Sequence, residues 1–166
     1  MKILFTSIKK MKKVLFISST GGHFNELMQL KSLFNKYDYY IVTEKDKTNE
    51  NLKNIYKDKI SYLPYATRSK IISYIFKYLY IIIKSIFLYI KIKPKYIVTT
   101  GTHTAGPICY FAKIFGCKII YIETFANMVT KTATGKLIYP ISDKFIVQWE
   151  SMKKLYPDAE VGGWIF

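Results

Sequence analysis

The sequence predicts an α/β fold, a Rossmann-like parallel sheet with helices on both faces. Three observations predict it. Short apolar runs of strand length alternate with helical patterns along most of the chain. Several of those runs are continuously apolar rather than alternating, as strands covered on both faces are. The segments after the first, fourth and fifth runs are rich in Gly, Thr, His or Glu, and the carboxyl ends of such strands are where α/β sheets bind ligands. The length of 166 residues fits one domain with a real core, and is too short for two full α/β domains facing across a cleft.

Residues 1–10 hold only a short apolar stretch, diluted by Thr6 and Ser7, too polar for a signal-peptide core. They read as an N-terminal extension, with Met11 an alternative start, and residues 11–166 as a single domain. Residues 14–17, Val-Leu-Phe-Ile, form the first strand. After a Gly-Gly turn, Phe24, Leu27, Met28, Leu30 and Phe34 recur near helical spacing over 24–34. A second strand is expected at 39–43, a polar helix at 48–56 and a short third strand at 60–63, ended by Pro64. A long helix follows over 69–91 and stops before Pro94. The fourth strand occupies 96–99. Pro107 opens a helix over 107–115 that Gly116 stops. The fifth strand (118–122), a helix over 130–139 and the sixth strand (144–147) complete the pattern.

Composition narrows the function. The chain carries 26 Lys+Arg against 11 Asp+Glu, a formal charge of +15. Arg68 is the single arginine, which argues against base-reading contacts, where Arg is preferred. No nucleic-acid partner is expected. A membrane surface asks only for positive point charges. Cys109 and Cys117 are too few for a disulfide scaffold or a zinc site, so neither metal nor cofactor is expected. Gly101 and Gly106 have phosphate-loop spacing, but Pro107 stands where that loop needs Lys.

Four segments carry chemistry. Thr20-Gly21-Gly22-His23 opens a helix after the first strand, either as a ligand loop, where Gly lets backbone approach closely and His23 offers a base or a hydrogen bond to a phosphate, or as a structural glycine turn with a capping polar residue. Gly101, Thr102, His103 and Gly106 belong either to a second close-approach loop or to one that docks the following helix against the sheet edge. Glu123 closes the fifth strand on the same rim as both histidines, as a base or as a cap of the following turn. In the long helix, Lys70, Lys77, Lys84 and Lys91 recur every seven residues, a narrow stripe because seven residues drift only ~20°. Ile72, Ile75, Phe76, Leu79, Ile82, Ile83, Ile86, Phe87 and Ile90 lie away from it. Two mid-helix lysines disfavour a spanning helix. The helix is then either a buried domain helix with a solvated lysine edge or a monotopic one whose lysines reach anionic headgroups.

Taken in order, residues 18–23 (Ser-Ser-Thr-Gly-Gly-His), 100–107 (Thr-Gly-Thr-His-Thr-Ala-Gly-Pro), 121–126 (Tyr-Ile-Glu-Thr-Phe-Ala) and the final Gly-Gly-Trp-Ile-Phe resemble the Alg14-like family over residues 11–166. The bacterial branch of that family includes the PssD/CpsF-type capsule and exopolysaccharide proteins. The resemblance implies the N-terminal, acceptor-side half of a GT-B glycosyltransferase. An Alg13-like (PssE/CpsG-type) donor-binding subunit would supply the other half. Together they would move a sugar from a UDP-sugar to a lipid-linked, polyprenyl-pyrophosphate acceptor at the cytoplasmic membrane face. It further implies that Thr20, Gly21, Gly22, Gly101, Thr102, His103 and Gly106 line the substrate cleft, with His23 and Glu123 catalytic. Unlike the eukaryotic branch, this sequence has no clean N-terminal transmembrane anchor, which leaves membrane attachment to the lysine-striped helix. A non-catalytic membrane scaffold, a self-sufficient nucleotide-binding domain and a basic nucleic-acid binder are the competing readings.

Overall fold

The computed structural model describes residues 11–66 and 71–165. The expected extension 1–10, Lys70 of the lysine stripe and Phe166 lie outside the described residues. Among the described residues, seven parallel strands form one sheet: β1 (Lys13–Ile17), β2 (Asp38–Glu44), β3 (Ile60–Leu63), β4 (Tyr96–Thr99), β5 (Lys118–Ile122), β6 (Lys144–Val147) and β7 (Glu160–Val161). Their spatial order is β3-β2-β1-β4-β5-β6-β7. Strand order reverses between β1 and β4, the topological switch point where such sheets open a crevice at their carboxyl ends.

Alternation along each strand divides the core into two layers. Leu15 and Ile17 of β1 face the layer built with α3 (Ile71–Ile92), α4 (Gly106–Ile114) and α5 (Ala133–Ile138). Val14 and Phe16 face α1 (Gly22–Met28) and the 3₁₀ segment Gln29–Asn35, where Phe24, Leu27 and Phe34 pack. Phe34 stacks on Tyr39, with ring centroids 4.2 Å apart.

The six expected strands are present, and the helices differ at their ends. The helix expected over 24–34 tightens into 3₁₀ after Met28. The polar helix expected over 48–56 is a 3₁₀ turn, Lys47–Asn49, plus α2 (Leu52–Tyr56). The turn is held by a capping box in which Asp46 and Asn49 bond each other's backbone N–H. The final helix shrinks to α5 because Thr132 caps it three residues into the expected range. Strand β7 has only two residues, Glu160 and Val161, below the length at which a strand pattern can be read.

Helix α3 is where orientation matters most. Only Ile81, Ser85, Leu88 and Ile92 are buried, so a fully buried domain helix is not what forms. Lys13 Nζ donates to Ile92 O at 3.0 Å and closes the C-terminal end. Lys93 then leaves the helix with φ 50°, its N–H bonded to Tyr89 O at 2.7 Å. The apolar arc opposite the core faces outward, and Ile72, Phe76 and Phe87 are 71%, 69% and 68% exposed. Ile114 and Phe115 at the end of α4 are exposed beside it. Lys77, Lys84 and Lys91 run along the seam between the buried stripe and this arc.

Candidate functional site

The loops after β1, β4 and β5 meet at the carboxyl rim of the sheet, on either side of the switch point. Gly21 enters α1 with φ 72°, and among the described residues, chain neighbours and the helix's own backbone aside, no atom lies within 4 Å of where a Cβ of Gly21 or Gly22 would stand. Both glycines therefore present open backbone. Thr20 and Gly21 border a cavity of about 350 Å³ together with Phe24, Asn25, Thr48, Asn49 and Leu52.

His23 is bound to the neighbouring loop at two points. Its Nδ1 lies 2.8 Å from Thr100 O, and its own carbonyl accepts from Thr100 Oγ1 at 2.7 Å. A carbonyl oxygen only accepts, so Nδ1 carries a proton, and in the neutral ring the lone pair is then on Nε2. The side chain is 29% exposed. Gly101 stands beside this pair with φ 101°, a backbone conformation that favours glycine, and a Cβ there would be in ordinary van der Waals contact with His23 Cε1 and Tyr121 Oη, each at 3.5 Å.

Thr102 and His103 are half-buried at the rim. His103 Nε2 stands 4.0 Å from Glu44 Oε1, and its ring lies 5.9 Å from that of Tyr74 on α3. Tyr74, Tyr78 and His103 line a cavity of about 290 Å³ with Ala133, Thr134 and Leu137. Gly106 is different. It is buried, with Leu137 3.4 Å from its would-be Cβ, and it seats α4 against α5 rather than facing the rim.

Glu123 is 1% exposed. Its oxygens accept from Thr132 Oγ1 at 3.0 Å, Thr124 N–H at 3.1 Å and Tyr156 Oη at 3.1 Å. Burial raises its pKa above the ordinary carboxyl value, outweighing the hydrogen bonds from Thr132, Thr124, Tyr156 and Tyr121 that pull it down. Gly135 leaves the space for this arrangement, since a Cβ there would meet Glu123 Oε2 at 2.3 Å.

Two further carboxyl groups belong to the rim and were not singled out in the sequence. Glu44 ends β2, is 2% exposed, and accepts from Thr104 Oγ1 and the Thr20 N–H. Burial likewise raises its pKa against those bonds. Glu26 lies one turn after His23, is 3% exposed, and accepts from Thr124 Oγ1 at 3.0 Å and Phe125 N–H at 2.7 Å. A signal for Glu44 was present, because it closes an apolar strand just as Glu123 does. Glu26 carries the weaker signal of i,i+3 spacing from a histidine. Together the three carboxyls tie the loops after β1, β2, β4 and β5 to one another.

Cys109 and Cys117 are buried away from the rim, and burial pushes the Cys117 thiol up to about 11, which leaves neither suited to nucleophilic work. Among the described residues, no group of His, Cys, Asp or Glu is placed to hold a metal ion. Trp164 is 63% exposed and lies against Trp149 and Phe125, with centroids 5.2 and 5.3 Å apart. Ile165 donates its N–H to Gln148 Oε1 and packs on the core.

A parallel sheet of this order, with polar loops gathered over the β1/β4 switch, is one Rossmann-like half of the GT-B fold. The structure is similar to MurG of Acinetobacter baumannii, with a TM-score of 0.67 and 16% identity over 84% of this chain. It is also similar to a Neisseria meningitidis UDP-GlcNAc 2-epimerase bound to UDP-GlcNAc, with a TM-score of 0.66 and 15% identity over 92% of this chain. The match spans only 42% and 47% of those two chains. In sequence, the family model "Oligosaccharide biosynthesis protein Alg14 like" matches residues 14–165, and the chain belongs to that Alg14-like family. It is 31% identical to the UDP-N-acetylglucosamine transferase subunit ALG14 of Candida albicans, over 95% of this chain and 83% of the relative. The mouse protein of the same name is 29% identical, over 89% of this chain and 80% of the relative.

Proposed function

We propose that this chain is the acceptor- and membrane-side subunit of a two-component glycosyltransferase of the PssD/CpsF type. It acts in capsule or exopolysaccharide synthesis with an Alg13-like (PssE/CpsG-type) partner that binds the UDP-sugar. The observation that carries the reading is a rim built for polar chemistry on one Rossmann-like half of a GT-B fold. The relatives named UDP-N-acetylglucosamine transferase subunits support placing the donor side on a partner.

In this reading the acceptor diphosphate lies along Thr20, Gly21 and Gly22, whose backbone is open, with Gly101, Thr102 and His103 on the other wall. His23 is the base. The acceptor hydroxyl gives its proton to His23 Nε2 while its oxygen bonds the anomeric carbon and the bond to the UDP leaving group breaks, inverting that carbon. Glu123 has no exposed oxygen and serves the reaction by fixing the floor of the loop that follows β5.

The surface of α3 supports a monotopic seat on the cytoplasmic membrane face. Fully burying a side chain such as Ile or Phe is worth about 1.5–3 kcal/mol, and a row of them is left outward here. The flanking Lys77, Lys84 and Lys91, with Lys70 as the sequence's fourth, reach anionic headgroups while their stems lie along the apolar arc.

The test is sugar transfer by the reconstituted pair, using UDP-N-acetylglucosamine and a polyprenyl-pyrophosphate-linked sugar in anionic vesicles. His23→Ala lowers kcat by about 100-fold or more. Near-wild-type turnover of that variant would remove His23 from the chemistry, and full activity of the partner alone would favour the scaffold reading.

A further inference from the structure

We propose that Glu26 is a positioning residue for His23, holding the imidazole beside a buried carboxylate so that the ring accepts a proton more readily in the transition state. The inference rests on the transfer reading above.

The two oxygens of Glu26 have different surroundings. Oε1 is occupied, accepting from Thr124 Oγ1 at 3.0 Å and Phe125 N–H at 2.7 Å. Oε2 is buried, has no hydrogen-bond partner among the described residues, and stands 3.7 Å from His23 Nδ1. A carboxyl group that is 3% exposed carries a desolvation cost that one satisfied oxygen offsets only in part. What faces the second oxygen is the ring nitrogen that Thr100 O has already fixed as protonated.

The geometry gives Glu26 a specific effect. When the acceptor hydroxyl loses its proton to Nε2, the ring becomes an imidazolium with a positive charge shared by Nδ1. The Glu26 carboxylate, itself buried, is then an opposite charge at 3.7 Å, and its attraction grows as the reaction proceeds. Before proton transfer the ring is neutral and the attraction is small. An interaction stronger in the transition state than in the ground state changes kcat rather than KM. The same logic places a buried carboxylate behind the histidine of a serine-protease triad. In this fold the backbone carbonyl of Thr100 sets the tautomer, and the carboxylate supplies charge.

The measurement is a double-mutant cycle in the reconstituted pair. Glu26→Gln keeps an amide oxygen for Phe125 N–H and Thr124 Oγ1 and removes the charge. It is expected to lower kcat about 10- to 100-fold with KM for both substrates within about threefold. In a His23→Ala background the same change should alter kcat by less than about twofold. Thr124→Val removes one bond to Oε1 while leaving Oε2 and His23 in place, and should hold kcat within about twofold of the wild type. An equal loss from Glu26→Gln in both backgrounds, a loss confined to KM, or a kcat loss in Thr124→Val matching that of Glu26→Gln overturns the assignment. An inactive wild-type pair overturns the transfer reading and this inference with it, whereas an active pair with additive losses overturns this inference alone.

Discussion

Replacing Gly135 with alanine places a methyl group inside the polar cluster around Glu123. The new Cβ would stand 2.3 Å from Glu123 Oε2, 2.4 Å from Tyr156 Oη and 2.8 Å from Thr132 Oγ1. No pair of nonbonded atoms tolerates the first two distances, so the cluster must open. Overpacking of this kind costs about 1–3 kcal/mol. Displacing the Thr132 hydroxyl also loses the cap of α5, worth about 1 kcal/mol. Alanine's better helix propensity returns about 1 kcal/mol. The net loss is about 1–3 kcal/mol, before any bond to the buried carboxyl is left unmade. For a chain of this size each kcal/mol shifts Tm by about 2–4 °C, so Gly135→Ala should melt about 2–12 °C below the wild type. Thermal denaturation followed by circular dichroism measures this, with Gly22→Ala as the control because nothing lies within 4 Å of its new methyl. A Gly135→Ala protein melting with the wild type would mean that Glu123 is not held as tightly as the geometry states.

Two other expectations concern the same carboxyl groups and the helix surface. Because burial raises the pKa of Glu123 and of Glu44 above 4.5, the native state binds more protons than the unfolded chain between that value and the raised one. Stability therefore falls as pH rises through the window and recovers on acidification. Urea unfolding of Glu123→Gln across pH 5–7 should show a flatter profile than the wild type, and an unchanged slope would contradict the burial argument. On α3, Phe76→Glu and Phe87→Glu alter side chains that are 69% and 68% exposed, so the fold should keep its melting temperature while cosedimentation with vesicles is lost. Replacing Lys77, Lys84 and Lys91 with alanine should weaken binding only to anionic vesicles, by roughly 1 kcal/mol for each lysine. Equal loss on neutral lipid would refute a charge role for the stripe.

The sheet was legible because its strands are apolar runs at regular intervals, and a parallel sheet buried on both faces leaves that mark in any sequence. The helix ends were less legible. They depend on single side chains such as Thr132, which caps α5, and Asp46, which stops a longer helix by organising a 3₁₀ turn. The site was half visible. His23, His103 and Glu123 stood out as polar residues at the ends of apolar runs. Glu26 did not, since a glutamate one turn into a helix ordinarily faces water. Its burial comes from Thr124 and Phe125, residues 98 and 99 positions further along the chain, and local spacing carries no record of such a pairing. The seven-residue spacing of Lys77, Lys84 and Lys91 places them on one side of α3, but only the fold shows that the core lies beside that side and leaves the broad apolar arc outside.

On the proposed membrane seat, the direction of α3 would also set a working height. The chain enters the helix near the rim, where Tyr74 and Tyr78 lie 5.9 and 6.2 Å from the His103 ring, and leaves it at Ile92, bound to Lys13 at the opposite edge of the sheet. A helix seated flat in a headgroup layer would carry the mouth of the crevice at the level of the phosphates. A substrate whose tail stays in the bilayer could then meet His23 without being lifted out of it.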